Sequence, residues 1–242
     1  MSTDKLFQEG EIRSDFQFNE RVAEVFDDML ARSVPNYEQV IEMTALLLER
    51  FLHPGDRIYD LGCSTGNTLL HLARRLNIPE LRFTGVDNSQ AMISKARLKA
   101  EMYSRQGQLD FAEGDITDFA DSDSGAILLN YTLQFIRPPL RPELLTRLHA
   151  ALRPGGVLIL SEKVISHDPL LNRTFLELYF AFKRSKGYSE MEIAKKREAL
   201  ENVLIPFSIR ENLELLTQAG FQRAETFCQW FNFVSLVAVK GE

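Results

Sequence analysis

The stretch Arg57–Asn67, RIYDLGCSTGN, decides the fold. A short apolar run, Ile58 and Tyr59, ends in Asp60 and breaks at Gly62 and Gly66, and a helical pattern starts at once. A strand that stops at a glycine-rich turn and feeds a helix N-terminus is how α/β folds bring bare backbone N–H groups to a nucleotide-like ligand. The spacing is D-x-G-x-x-x-G rather than the G-x-G-x-x-G of a dinucleotide site. The wider loop suits an adenosyl ligand with an amino-acid tail and no pyrophosphate. Strand–acid–glycine turns occur in many doubly wound proteins, so the loop fixes architecture more firmly than ligand.

Downstream, strands alternate with helices. Strands are expected at Arg57–Leu61, Leu81–Asp87, Leu109–Glu113, Gly125–Asn130 and Gly156–Glu162, with helices at Thr68–Leu76, Gln90–Tyr103 and Arg141–Leu152. That alternation predicts a parallel sheet. LRPGG, Leu152–Gly156, is read as stopping a helix and turning into the fifth strand. Residues 163–206 interrupt the pattern with a helical insert. The alternation resumes at Ser208, where S-I-R-E makes a capping box for a helix ending at Gly220. The runs Arg223–Gln229 and Phe231–Val239 are nearly contiguous and should pair antiparallel. Upstream, Glu20–Leu30 and Tyr37–Leu52 are amphipathic and separated by Pro35. They are placed as a helical cap over the ligand edge. The expected layout is one domain: cap 1–55, sheet core 56–162 and 207–242, insert 163–206.

The chain has 242 residues, 45% hydrophobic and 26% charged, with a net charge of -6, so it can bury a full core. The acidic balance argues against gripping nucleic acid through the overall field. Two cysteines, Cys63 and Cys228, make no disulfide framework. The charged N-terminus shows no signal peptide and no apolar run is long enough to span a membrane. A cytoplasmic protein without direct nucleic-acid or membrane contact is expected. No metal-ligand set is expected either.

Ligands of open α/β sheets bind beyond the carboxyl ends of the strands. Strand one places Asp60, Gly62, Cys63 and Ser64 there, strand two Asp87 and Asn88, strand three Asp115 and Ile116, strand four Asn130 and Tyr131. An acid at the end of strand two can accept both ribose hydroxyls. Asp115 with Ile116 suits an adenine, the carboxylate for its amine and the apolar wall for its face. Gly62 lets backbone reach the amino-acid tail, and Asn130 can hold the tail's amino group. Each has a plainer alternative: Asp87 and Asn88 as helix caps, Glu113–Asp115 as a turn, Asp60 as a loop brace. The register of four strand ends favours the ligand reading. Cys63 has no His in a motif beside it, and a catalytic cysteine is not expected.

The insert FKRSKGYSEMEIAKKREALENV, Phe182–Val203, carries a second signal. Ser189 and Glu192 make a capping box, so a helix starts at Glu190. Ile193, Leu200 and Leu204 share one face, and Arg197, four residues after Ile193, is read on that buried stripe. A guanidinium aimed inward needs an anion, because it stays charged. A structural ion pair is the plainer alternative.

YDLGCSTGN, VDNSQAM, LNYTLQF, LSEK (Leu160–Lys163), SVPNY (Ser33–Tyr37), the insert and the closing FNFVSLVAVK together resemble the bacterial carboxy-S-adenosyl-L-methionine synthases over nearly the whole chain. IPFSIREN departs from the family's wording at a helix start. The resemblance implies a Rossmann-like, seven-stranded class I S-adenosyl-L-methionine (SAM)-methyltransferase sheet. It implies that SAM and prephenate are converted to carboxy-SAM and phenylpyruvate, supplying the carboxymethyl donor for 5-oxyacetyluridine at the tRNA wobble position. Tyr37 would lie over the ligand, Gly62, Cys63 and Ser64 at the amino-acid tail, and Asp87 and Asn88 at ribose. Asp115 and Ile116 would hold adenine, Asn130 the region near the sulfonium, and Arg197 the added carboxylate as the catalytic clamp. The basic cluster Lys183, Arg184, Lys186 and Lys195–Arg197 would favour a dianionic substrate. No general base is evident. A homodimer follows from the resemblance, as does transient contact with the downstream tRNA carboxymethyltransferase. A conventional methyltransferase for a small acid or tRNA, and a non-catalytic SAM-binding partner of a tRNA-modifying enzyme, stay open as alternatives.

Overall fold

The computed structural model describes residues 4–7, 16–102 and 106–242. Seven strands form one sheet in the order β3-β2-β1-β4-β5-β7-β6. The strands are β1 Arg57–Leu61, β2 Arg82–Asp87, β3 Leu109–Glu113, β4 Ser124–Asn130, β5 Leu152–Lys163, β6 Arg223–Trp230 and β7 Phe233–Val239. β1 to β5 run parallel, and β7 is antiparallel to both β5 and β6. The expected α/β sheet with its closing hairpin is therefore present. Because β1 is flanked by β2 and β4, strand order reverses there, which opens a crevice at the carboxyl ends.

Helices cover both faces: α1 Glu20–Ser33, α2 Tyr37–Phe51, α3 Asn67–Arg75, α4 Gln90–Glu101, α5 Arg141–Ala151, α6 Pro169–Ser185, α7 Glu190–Leu200 and α8 Ile209–Gln218. Leu144, Leu145 and Leu148 of α5 and Leu216 of α8 fill one face, and Leu48, Leu69, Leu72 and Ile93 the other. The β4 run Ala126–Leu129 is fully buried, as a central parallel strand covered on both faces must be. The expected end of α4 at Tyr103 lies outside the described residues.

One element differs from the sequence reading. β5 starts at Leu152, not Gly156, because Ser124 already pairs with Leu152 before the register shifts between Ser124 and Ala126. LRPGG is thus a bulge inside the strand, where a proline without an N–H is tolerated. The Arg153 guanidinium reaches the Asp56 carboxylate at 2.7 Å and the Phe51 carbonyl at 2.8 Å, fastening the bulge to the end of α2.

The cap and insert are tied to the ligand edge. Asp27 of α1 accepts hydrogen bonds from Thr65 at 2.6 Å and Asn67 at 2.9 Å, and pairs with Lys99 of α4 at 2.5 Å. Arg32 stacks 4.1 Å over the Tyr188 ring and donates to the Lys186 carbonyl at 2.8 Å, joining α1 to the turn between α6 and α7.

Candidate active site

The first loop is shaped by backbone. Gly62 has φ +80°, and a Cβ there would lie 2.5 Å from the Thr132 side chain, so the close approach of β4's exit requires glycine. Gly62 and Cys63 both donate to the Val86 carbonyl, at 2.7 and 3.1 Å, which bends the loop over the end of β2. Ser64, at φ +48°, turns its N–H onto the Asp87 carboxylate at 2.9 Å. Asp87 takes a second N–H, from Ser89, at 2.9 Å. Ser89 itself caps α4 by accepting from Met92, so Asp87 braces two loops rather than capping a helix.

Asp60 is buried at the end of β1, and its Oδ1 has no hydrogen-bond partner among the described residues. Burial, with the Asp87 charge nearby, pushes its carboxyl up to about 7. A buried acceptor left open toward a cavity calls for a donor from a ligand, and an ammonium is the strongest candidate. Burial beside Asp60 and Asp87 also pushes the Cys63 thiol well up, which keeps it protonated and unfit as a nucleophile.

These groups line a cavity of about 400 Å³ between the strand ends, the cap and the insert. Tyr37, Gly62, Cys63, Ser64, Asp87, Asn88, Asp115, Ile116 and Asn130 all line it. Asp115 accepts from the Thr117 N–H at 2.8 Å, holding the turn that presents Ile116. The cap contributes an aromatic wall, with Phe18 5.4 Å from Phe135 and 6.2 Å from Phe26 by ring centroid. An adenosyl group with an amino-acid tail fits this donor set: paired acids, a free acceptor for an ammonium, and apolar faces for a base.

Sequence reasoning reached Tyr131 at the end of strand four but missed the rest of the far wall. Tyr131, at φ +59°, sits 6.4 Å from Tyr37 and 6.2 Å from Phe233, and Phe233 lies 5.0 Å from Tyr179 of α6. Lys163, at the end of β5, reaches the cavity 5.2 Å from the Tyr179 ring, and Lys196 of α7 lines it too. Burial pulls the Lys163 ammonium down to about 8 and that of Lys196 to about 7. The strand-end rule that yielded Asp60, Asp87 and Asn130 also points to Lys163 within LSEK.

Arg197 is the correction. It is exposed, and it does not line the cavity of its own chain. Glu192, Ile193, Lys196 and Ala199 form the buried face of α7. At about 100° per residue, Arg197 points away from the centre of that face, which Lys196 occupies. Scoring only apolar residues rotated the expected stripe, because a lysine and an acid lie in its middle. Lys183, expected in a basic surface cluster, is likewise buried.

A family model described as a methyltransferase domain matches residues 58–156. The chain is 56% identical over 239 residues to the carboxy-S-adenosyl-L-methionine synthase of Desulfotalea psychrophila, covering 99% of this chain and 98% of that one. It is 50% identical over 240 residues to the Wolinella succinogenes protein of the same name, covering 99% of each. Human N-acetylserotonin methyltransferase, solved with SAM, matches at TM-score 0.61 and 18% identity over 92% of this chain and 56% of that one, a likeness of fold. With SAM as its nucleoside ligand and the class I methyltransferase fold around it, this enzyme belongs to the carboxy-S-adenosyl-L-methionine synthase family.

Proposed function

We propose that the enzyme converts SAM and prephenate to carboxy-SAM and phenylpyruvate. The observation that carries this reading is one cavity with two characters: acids, amides and open backbone at the strand ends, and buried ammonium groups on the opposite wall. A transferase for a neutral acceptor gains nothing from ammonium groups near a sulfonium, because like charges repel. An anionic second substrate reverses the sign. Prephenate loses its ring carboxylate as CO2 together with its hydroxide, leaving phenylpyruvate. The SAM methyl group loses a proton, gains the CO2, and that proton with the hydroxide makes water.

The chain's residues bind and orient. Tyr37 covers the ligand, Gly62, Cys63 and Ser64 meet its tail, Asp87 and Asn88 its ribose, Asp115 and Ile116 its adenine, and Asn130 the sulfonium region. Asp60 is added to this set as acceptor for the tail's ammonium. Arg197 would clamp the new carboxylate through a bidentate, charge-assisted pair, from a neighbouring copy, since its own cavity excludes it. That placement agrees with a homodimer. The product would supply a tRNA carboxymethyltransferase that builds 5-oxyacetyluridine in the cytoplasm.

Mass spectrometry of small molecules after incubation with SAM and prephenate tests the reading. A species heavier than SAM by one CO2 unit, formed with phenylpyruvate, supports it; unchanged SAM overturns it. The same cavity would also serve a methyltransferase for a small carboxylic acid, which a methylated acid product would reveal.

A further inference from the structure

Three lysines from three elements converge where the insert meets the sheet. Lys163 ends β5, Lys183 belongs to α6 and Lys196 to α7. Lys163 Nζ lies 5.2 Å and Lys183 Nζ 5.5 Å from the Tyr179 ring centre. Lys183 Nζ is also 5.3 Å, and Lys196 Nζ 5.5 Å, from the Tyr188 ring centre. Lys196 donates to Ser33 Oγ at 2.9 Å, and the Tyr179 hydroxyl donates to the Ser33 carbonyl at 3.0 Å. Two aromatic rings are thus surrounded by ammonium groups, and Lys163, Lys196, Tyr179 and Ser33 face the cavity.

Among the described residues two acids act on the three lysines: Asp4 on Lys183 and Lys196, and Glu192 on Lys183. The Asp4 carboxylate accepts from the Tyr188 hydroxyl and the Leu6 N–H. Glu192 is engaged by Ser189 in the capping box, at 2.7 and 2.8 Å. Arg32, stacked on Tyr188, is paired with Asp28 at 3.2 Å and leaves the balance of the lysines unchanged. Among the described residues, burial of Lys163 meets no opposing carboxylate. Clustered, desolvated cations of one sign require an anion to be stable together.

We propose that Lys163 and Lys196, with Lys183 buried behind them, form an anion subsite for the carboxylate that the carboxyl donor keeps, not the one it transfers. The proposal rests on the synthase reading above. A cation pressed on the departing carboxylate would oppose its loss, because the negative charge must move off that group as CO2 forms. The transferred group belongs near Asn130 and Tyr131. The Tyr131–Phe233–Tyr179 contacts lead from there to the lysines along an apolar wall fit for the donor's ring. The subsite therefore recognises an α-keto-acid carboxylate on a ring-bearing donor and sets its direction. It selects the donor and positions it; it transfers no proton.

Titration calorimetry with phenylpyruvate, which carries only the retained carboxylate, reads the subsite without turnover. The protein is first saturated with S-adenosylhomocysteine. Lys163→Met and Lys196→Met should raise the phenylpyruvate Kd about tenfold or more and the prephenate KM similarly, with the SAM Kd unchanged. Lys163→Arg should restore most of the loss. An unchanged melting temperature and SAM Kd in each variant separate this from misfolding, and Lys163→Gln, which removes the charge but keeps a polar end, carries the test should a methionine variant fail to fold. Phenylpyruvate that does not bind the wild type, or binds all variants alike, overturns the subsite. If the wild type makes no carboxy-SAM but binds phenylpyruvate through these lysines, the subsite stands and the synthase reading falls. If it makes carboxy-SAM and the lysine variants keep wild-type KM and Kd, the reverse holds.

Discussion

The Ser64 N–H donates to Asp87 Oδ2 at 2.9 Å, so the glycine loop after β1 and the end of β2 are set by a single carboxylate. Because Asp87 also receives the Ser89 N–H, both its oxygens are fixed and each keeps a lone pair for a ligand hydroxyl. Asp87→Asn would present an amide N–H₂ to one of those donors. The expected outcome is a SAM Kd raised about 10- to 100-fold, the scale of a lost charge-assisted hydrogen bond, with the sheet intact. Calorimetry and far-UV circular dichroism measure the two halves of that outcome.

Gly62→Ala should fail for a packing reason. Its φ of +80° disfavours a side chain, and the added Cβ would meet Thr132 Cγ2 and Oγ1 at 2.5 Å. Backbone strain alone costs about 1 kcal/mol or more. The melting temperature should fall, and SAM affinity with it, because Thr132 follows Asn130 and Tyr131 in the cavity wall. The double variant Gly62→Ala/Thr132→Ser should recover part of the lost stability if the clash is the cause.

Asp60 makes stability and ligand affinity respond to pH in opposite directions. Its carboxyl stands at about 7 in the folded chain against an ordinary 3.8, so the folded state holds a proton that the unfolded state releases. The stability it contributes is fully present below about pH 4 and is lost as pH rises through about 7. Buried Glu162, raised to about 8, and Asp87, also raised, act with the same sign. The buried lysines stay largely charged in both states over most of this window, so they weigh little against it. A ligand ammonium binds the ionised Asp60, so SAM affinity should rise where unliganded stability falls. Urea midpoints and SAM Kd at about pH 5 and about pH 7 test this, and Asp60→Asn should flatten the dependence of Kd.

Periodicity made the sheet legible because β1 to β4 are short apolar runs ended by an acid, an amide or a turn. It failed at LRPGG, where Pro154 and two glycines read as a turn although Ser124 pairs across to Leu152. Eight of the nine cavity residues were legible because the strand-end rule needs only chain order, and Tyr37, at the start of α2, came from the family resemblance. The lysine wall was only partly legible: Lys183 and Lys196 stood in the basic cluster expected to favour a dianionic substrate, but not as buried groups. Lys183 and Lys196 come from α6 and α7, and their burial follows from tertiary packing around Tyr179 and Tyr188, while Lys163 is half-buried at the end of β5. A charged residue inside a helix pattern reads as solvated unless its neighbours in space are known.

Arg197 makes the last prediction one about two copies of the chain. The side chain is exposed and excluded from its own cavity, so Arg197→Leu should leave the melting temperature and SAM Kd unchanged. If it clamps the added carboxylate of a neighbour's ligand, the carboxy-SAM Kd should rise about tenfold or more, as for a lost bidentate pair. At SAM near the wild-type Kd, homodimers of Arg197→Leu or of Asp87→Asn should each turn over at only a small fraction of the wild-type rate. Mixed dimers hold one site with both Asp87 and a neighbour's Arg197 intact, so co-refolding the two variants should restore activity toward a quarter of wild type, half the dimers being mixed and each holding one complete site. No recovery on mixing, with dimer exchange verified by mass, would return Arg197 to a role within its own chain or to none.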